Sequence, residues 1–418
     1  MVTFLSYLFA ICAGLLAIPV LVLFLEVAAA ITLPRQRLVR SANDVRNRVA
    51  VLIPAHNESV GLLPTLEDVK AQLRHGDRLL VIADNCIDDT AAVARAAGAE
   101  VVERHDVARV GKGYALDFSL RHLSTDPPDV VIIIDADCRL ADGTIDRLST
   151  TCATTGRPVQ ALDLMIAPEG SRINYRVVEF AWRVKNWVRP LGLSALNLPC
   201  QLMGTGMAFP WEVIRSANLA NGSIVEDLKL GLDLTLAGNP PLFCPSAKVT
   251  SQFPESVEAA STQRARWEQG HVGLILSAAP RLIWTAVARG RFDLLILTLD
   301  VAVPPLSLLG ILVVGMFALA GLSVLFGFSS AALTISTASL LVLMSAIFLS
   351  WLMYGRDILS TAAIFSIPSY VFGKIPLYHH MLSGRMVERW IRTERPKSPS
   401  SNASDAHRIS RNEPDSPV

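Results

Sequence analysis

Residues Val131–Cys138 read VIIIDADC, four apolar β-formers running straight into two aspartates one residue apart. With Val130 the run has no polar alternation, the pattern of a strand buried on both faces in a parallel sheet. Such a strand needs helices on either side of it. It stops at Asp135 and Asp137, so the carboxylates stand where a central strand leaves the core.

The same pattern repeats toward the N-terminus. Val49–Ile53 (VAVLI) and Arg78–Ala83 (RLLVIA) read as strands, and Val101-Val102 as a short one. Helical signals fill the gaps: Ser59–Leu73, a helix capped at Asp88 or Asp89 that runs to Ala97 and stops at Gly98, and Gly113–Leu123. This β-α-β order predicts an α/β domain with a mostly parallel sheet and right-handed crossovers. Ligands of such sheets bind outside the carboxyl ends of the strands. Those ends carry PAHNE at 54–58, DNCIDDT at 84–90 and DAD at 135–137. No GxGxxG follows the first strand, which excludes a typical dinucleotide-binding domain. Three acidic loops on one edge point to hydroxyl and metal recognition.

Of the 418 residues 51% are hydrophobic, and 38 basic residues nearly balance 37 acidic ones. The mean hydropathy is +0.40. Net charge gives no sign of a nucleic-acid partner. The six cysteines form no CxxC pair, so neither a disulfide framework nor a zinc site is indicated. The apolar residues are concentrated at the two ends. Residues 4–33 form a transmembrane anchor whose one charge is Glu26; their number exceeds the roughly 20 residues needed to span a bilayer. Arg35, Arg37, Arg40, Arg46 and Arg48 follow, which predicts a cytoplasmic domain over 35–291 in an integral membrane protein of the plasma or inner membrane. A membrane domain is expected over 294–380, with spans at about 301–325 and 331–354. A third segment, 360–377, interrupted by Pro368 and Pro376, either spans or lies in the interface. Residues 396–418, rich in Ser, Pro, Asn and Asp, read as a disordered tail.

Several residue sets carry chemistry. Asp135 and Asp137 would share Mg²⁺ or Mn²⁺ with substrate phosphates; in isolation the pair is merely a solvated turn. Glu226-Asp227 opens a helix, where acidic residues suit the dipole; the functional alternative is a general base acting on an acceptor hydroxyl. Gln263–Trp267 (QRARW) is either an interface anchor or a phosphate-pairing Arg266 beside a flat Trp267 face for a sugar ring. Gly204-Thr205-Gly206 is a turn or a close backbone approach to a ligand, and Lys112 between two glycines is a loop lysine or a phosphate contact.

Together these pieces resemble the membrane-bound family 2 glycosyltransferases, the branch with the cellulose, hyaluronan, chitin and poly-N-acetylglucosamine synthases. The matching motifs, in order, are VLIPAHNES at 51–59, ADNCIDDT at 83–90, GKGYAL at 111–116, DAD at 135–137, GTG at 204–206, ED at 226–227 and QRARW at 263–267. One anchor before the domain and a few helices after it resemble the nodulation chitooligosaccharide synthase layout. The resemblance implies a GT-A (Rossmann-like) fold and a UDP-sugar donor, with hexosyl or N-acetylhexosaminyl transfer to a saccharide or lipid-linked acceptor in exopolysaccharide or cell-surface glycan synthesis. It would place Pro54, Glu58 and Asp84 at the nucleoside and Lys112 near the nucleotide. Asp135 and Asp137 would bind diphosphate and metal, and Asp227 would be the base. Gly204, Thr205, Gly206, Glu226, Gln263, Arg266 and Trp267 would surround diphosphate and acceptor. Export partners would be compatible with this role. Ala83 stands where many relatives have an aspartate. Readings that compete are single-sugar transfer to a polyprenyl-diphosphate lipid, an inactive membrane assembly subunit, and a sugar nucleotidyltransferase.

Overall fold

The computed structural model describes residues 2–34, 47–168, 170–171, 173–220, 222–254 and 256–382. The arginines at 35–46, the basic run from Arg385 and the 396–418 tail lie outside the described residues.

Eight strands form one sheet: β1 Val49–Ala55, β2 Arg78–Asp84, β3 Glu100–Arg104, β4 Val130–Ile133, β5 Arg139–Leu140, β6 Val159–Ile166, β7 Met207–Pro210 and β8 Leu242–Gln252. Their order is β3-β2-β1-β4-β7-β6-β8-β5. The parallel reading holds for β3-β2-β1-β4 and for β6-β8. The pairings of β7 with β4 and β6, and of β5 with β8, are antiparallel.

The period-two geometry of strands sorts the apolar residues onto two faces. Val49, Val51, Ile53, Val130 and Ile132 pack with Leu62, Leu66 and Val69 beneath, and with Ile145 and Leu148 from the helix Thr144–Thr155. Ala50, Leu52, Val131 and Ile133 meet Leu116, Leu120 and Leu123 of the helix Lys112–Leu123 on the other face. Each fully buried side chain of this size contributes about 1.5–3 kcal/mol. The double cover fixes β1 and β4 at the centre and aims their carboxyl ends at one cleft.

Among the described residues four helices are long and apolar enough to cross a membrane: Thr3–Thr32, Glu258–Ala288, Leu306–Leu325 and Ala331–Tyr354. The segment around 360–377 is broken into three short helices, Thr361–Ile364, Ile367–Phe372 and Ile375–Leu382. Pro368 sits in the first turn of the second, and Pro376 falls where the third begins. Helix Glu258–Ala288 is the long apolar helix that the segment boundaries above did not separate from the domain expected over 35–291.

The N-terminal helix docks on the domain through one tight contact. A Cβ on Gly192 would fall 1.9 Å from the Glu26 carbonyl oxygen, so only glycine lets the two helices meet. Beside it, Arg189 donates to Glu26 Oε2 at 2.6 Å and to Asp300 Oδ1 at 2.5 Å, all three side chains being buried. The lone charge of the N-terminal helix is thus the partner of an arginine on the helix Arg189–Ala195.

Candidate active site

A cavity of about 510 Å³ opens at the carboxyl ends of β1, β2 and β4. Pro54, Glu58, Asp84, Lys112, Asp135, Asp137, Gly204, Thr205, Glu226, Asp227, Gln263, Arg266 and Trp267 all line it. Of the residues singled out from sequence, Gly206 alone is behind the wall. It has φ +65°, and a Cβ there would sit 2.8 Å from the Ala161 Cβ, so it sets the loop rather than touching a ligand.

Where the loops after β1 and β2 line the cavity, polar groups are already paired. Asp84, at the end of β2, is buried and accepts from Arg104 Nη1 at 2.6 Å. The Glu58 amide donates to Thr90 Oγ1 at 2.9 Å, tying the loop after β1 to the loop after β2. His56, also in the cavity wall, hydrogen-bonds through Nδ1 to the Asp84 carbonyl at 2.7 Å.

The centre is organised around Lys112. Its ammonium pairs with Asp135 and donates to the Gly204 carbonyl at 2.7 Å. Gly204 has φ +91°, and a Cβ there would lie 3.5 Å from Asp227 Oδ2. The glycine therefore brings its carbonyl to the lysine and leaves room beside Asp227. Thr205 is buried; its hydroxyl accepts from the Asp135 amide at 3.1 Å, and its carbonyl accepts from Gln160 Nε2 at 2.9 Å. Burial works against the Lys112 charge, but Asp135, then Glu226 and Asp227, outweigh it and hold its pKa above the usual lysine value.

Glu226 and Asp227 open the helix Glu226–Leu236 after Val225. Burial pushes both carboxyls above their usual range. The neighbouring Asp227 raises Glu226 further, while Lys185 and Lys112 pull Asp227 down. A carboxylate raised toward neutral pH is a stronger base for a hydroxyl proton.

Asp135 and Asp137 supply two carboxylates, and Asp137 is the more exposed. Among the described residues no group of three or more His, Cys, Asp and Glu gathers to hold a metal. Mg²⁺ and Mn²⁺ bind through one or two carboxylates when substrate phosphates and water complete the shell. The donor set therefore fits a cation that arrives with a diphosphate.

Gln263, Arg266 and Trp267 share one face of the helix Val257–Ala288 by their i, i+3, i+4 spacing. Trp267 stands against Trp182, with ring centroids 5.4 Å apart and planes at 46°. The next residue, Glu268, pairs with Lys374 and accepts from Tyr378 at 2.8 Å. This chain of contacts joins the site helix to the short helices after the last long one.

Some wall residues escaped the sequence reading: Asp163, Trp182, Lys185, Asn186 and Arg189. One signal was visible, an aspartate inside the apolar run VQALDLMI at 159–166. Burial, then Asp135, pushes the Asp163 pKa up to about 8. Burial pulls Lys185 below the usual lysine value, against the attraction of Asp227.

Comparisons with known proteins agree with this geometry. The chain matches the family described as "Glycosyltransferase like family 2" over residues 46–270. It is 24% identical over 274 residues to the probable glycosyltransferase YdaM of Bacillus subtilis (strain 168), a match covering 59% of this chain and 60% of that protein's length. Among solved structures it resembles the mannosyltransferase PcManGT from Pyrobaculum calidifontis, solved with GDP-Man and Mn²⁺. The TM-score is 0.52 at 16% identity, over 90% of this chain and all of that one. At that identity the likeness speaks for the fold alone, which is GT-A. The family match covers more than half the chain and includes the acidic strand ends, the ED pair and the QRARW helix: the chain belongs to the family 2 glycosyltransferases.

Proposed function

We propose that the chain is an inverting, metal-dependent glycosyltransferase. It moves a sugar from a nucleoside-diphosphate donor, UDP-sugar being the first reading, to a saccharide or lipid-linked acceptor at the membrane. The catalytic domain faces the cytoplasm, and the product is an exopolysaccharide or cell-surface glycan. The observation that carries this reading is Lys112, held by Asp135 and Gly204 with Asp227 close by on the same cavity wall. It joins the diphosphate end to the base end through one cation.

The residues divide the work. Pro54, Glu58 and Asp84 face the nucleoside. Lys112 and Arg266 meet the diphosphate, and Asp135 and Asp137 hold the cation. When bound, the cation neutralises charge growing on the leaving diphosphate. Asp227 takes the acceptor hydroxyl proton as that oxygen bonds to the anomeric carbon. The bond from that carbon to the diphosphate oxygen breaks, and the nucleoside diphosphate leaves with its electron pair. Attack opposite the leaving group inverts the centre through a state of oxocarbenium character, giving a β-linkage from an α-linked donor.

A single transfer onto a polyprenyl-diphosphate lipid is the second reading. It is favoured by the cavity lining, which includes Ser307, Gly310 and Ile347 of the long apolar helices and Pro304 just before the first of them. An inactive subunit is disfavoured by the intact DAD, ED and QRARW sets; Ala83 in the second acidic loop is the one departure from the motif pattern.

The test is nucleotide release by the full-length protein in native lipid extract, with Mn²⁺ or Mg²⁺, from UDP-Glc, UDP-GlcNAc and GDP-Man. Release from one donor, abolished by chelation and in Asp137→Ala, is expected. Release unaffected by both would remove the metal from the mechanism.

A further inference from the structure

Beyond Asp227 the cavity has a second polar wall that the proposed reaction leaves unused. It is made where helical winding changes. The chain is α-helical over Ile173–Arg183 and Arg189–Ala195 but π-wound over Val184–Val188. π turns are rare and concentrate at functional sites. This one carries Lys185 and Asn186 into the cavity wall, between Trp182 on the preceding turn and Arg189 on the next. Opposite them stands Asp163 on β6, two strands beyond β4 and away from the nucleoside end.

The hydrogen-bond inventory of this wall is incomplete. Asp163 Oδ2 accepts from Asn186 Nδ2 at 2.9 Å, and the two residues are 2% and 1% exposed. Their other oxygens, Asp163 Oδ1 and Asn186 Oδ1, are buried without a partner, as are Trp182 Nε1 and Gln263 Oε1. Lys185 Nζ lies 5.5 Å from the Trp182 ring centroid and makes no hydrogen bond or ion pair among the described residues. Buried polar atoms without partners are costly, and native proteins keep few of them. Four on the wall of one cavity, with a lysine among them, call for a ligand.

The mixture identifies its class. Two amide oxygens, a carboxyl, an indole N–H and an ammonium match a ring of hydroxyls, each of which both donates and accepts. A phosphate offers acceptors alone and would leave the Asn186 and Gln263 amide oxygens unpaired. The Trp182 and Trp267 rings add flat apolar surface for the C–H face of a pyranose.

We propose that Asp163, Trp182, Lys185 and Asn186 form a hexose-binding subsite beside Asp227. The ring belongs either to the acceptor or to the donor's transferred sugar. The proposal deepens the transferase reading and rests on it only for the claim that this ring reacts.

Calorimetric titration of the full-length protein in lipid nanodiscs separates the sources. The ligands are cellobiose, chitobiose and lactose with Mn²⁺ and UDP or GDP present, and the bare nucleotides against UDP-Glc, UDP-GlcNAc and GDP-Man. An acceptor subsite predicts that at least one disaccharide binds and that Lys185→Met and Asn186→Ala weaken it about tenfold, the value of roughly 1.4 kcal/mol. A donor-sugar subsite predicts the same loss for one nucleotide sugar. Bare nucleotide affinity stays constant in both cases. Disaccharide and nucleotide-sugar affinities unchanged in both variants would overturn the subsite, as would a wild type that binds no disaccharide and holds each nucleotide sugar no differently from its bare nucleotide. Should both variants also lose bare nucleotide, Trp182→Phe, which removes the N–H and keeps a smaller aromatic face, decides by the same readings. A wild type that binds a disaccharide but no nucleotide would sink the transferase reading and leave the subsite standing.

Discussion

The two ends of the cavity follow opposite rules. Under β1, β2 and β4 the polar groups are paired within the protein: Arg104 with Asp84, Lys112 with Asp135, and the Asp135 amide with Thr205. Under β6 and the π turn, Asp163, Asn186 and Trp182 keep buried polar atoms unpartnered. The first end is fixed before any ligand arrives, as would suit the proposed diphosphate site, which must hold charge without reorganising. The second is completed by what binds there. Pairing serves rigidity at one end, and its absence serves recognition at the other.

The contrast is most easily broken at the paired end. Arg104→Met leaves Asp84 as an uncompensated buried charge and is expected to cost about 3–5 kcal/mol of stability. Thermal unfolding reads this directly. Adding Asp84→Asn should recover part of the loss, since the two residues act as one unit. No recovery would mean that Arg104 acts through packing on Tyr114, whose ring centroid is 5.7 Å from its guanidinium carbon.

A smaller effect sharpens the unpaired end. The Asp163 pKa is raised from 3.8 to about 8 by burial. A raised carboxyl contributes stability in full below pH 4 and loses it as pH climbs through 8. Asp163→Asn removes that dependence. Its stability relative to wild type should therefore rise between pH 5 and 8, by at most about 1.4 kcal/mol per pH unit. Unfolding midpoints that move in parallel for both proteins would show that the carboxyl titrates normally.

Least is expected from Lys229→Ala, two residues beyond Asp227. Its pair with Asp233 is exposed and has the weaker Lys-before-acid orientation. The change should stay within about 0.5 kcal/mol and leave turnover intact, which makes it the control for the helix that carries the base.

The parallel half of the fold was legible because buried strands write themselves as uninterrupted apolar runs. β1 and β2 extend the predicted strands by one or two residues, and the helix after Asp89 begins at Thr90. The ends of β1, β2 and β4 delivered Glu58, Asp84, Asp135 and Asp137 to the cavity, while Asp88 and Asp89 of the second loop are not in its wall. The half beyond β4 was not legible, because antiparallel insertion of β7 depends on long-range register that no local pattern encodes. The π turn was hidden for a related reason: Lys185 and Asn186 look like solvent-facing helix residues until tertiary contacts change the winding. Glu26 was visible as the only charge in its apolar helix, but its partner Arg189 lies 163 residues away.

The most direct test of the central claim compares nucleotide binding with turnover in Asp227→Asn, using whichever donor the wild type accepts. If Asp227 is the base beside a preformed diphosphate site, the Kd for the nucleotide with Mn²⁺ should stay within about threefold of wild type. Turnover should fall by roughly 10²–10⁴. Turnover within threefold of wild type would contradict the assignment of the base, and with it the reading of the cavity as two ends meeting at one proton.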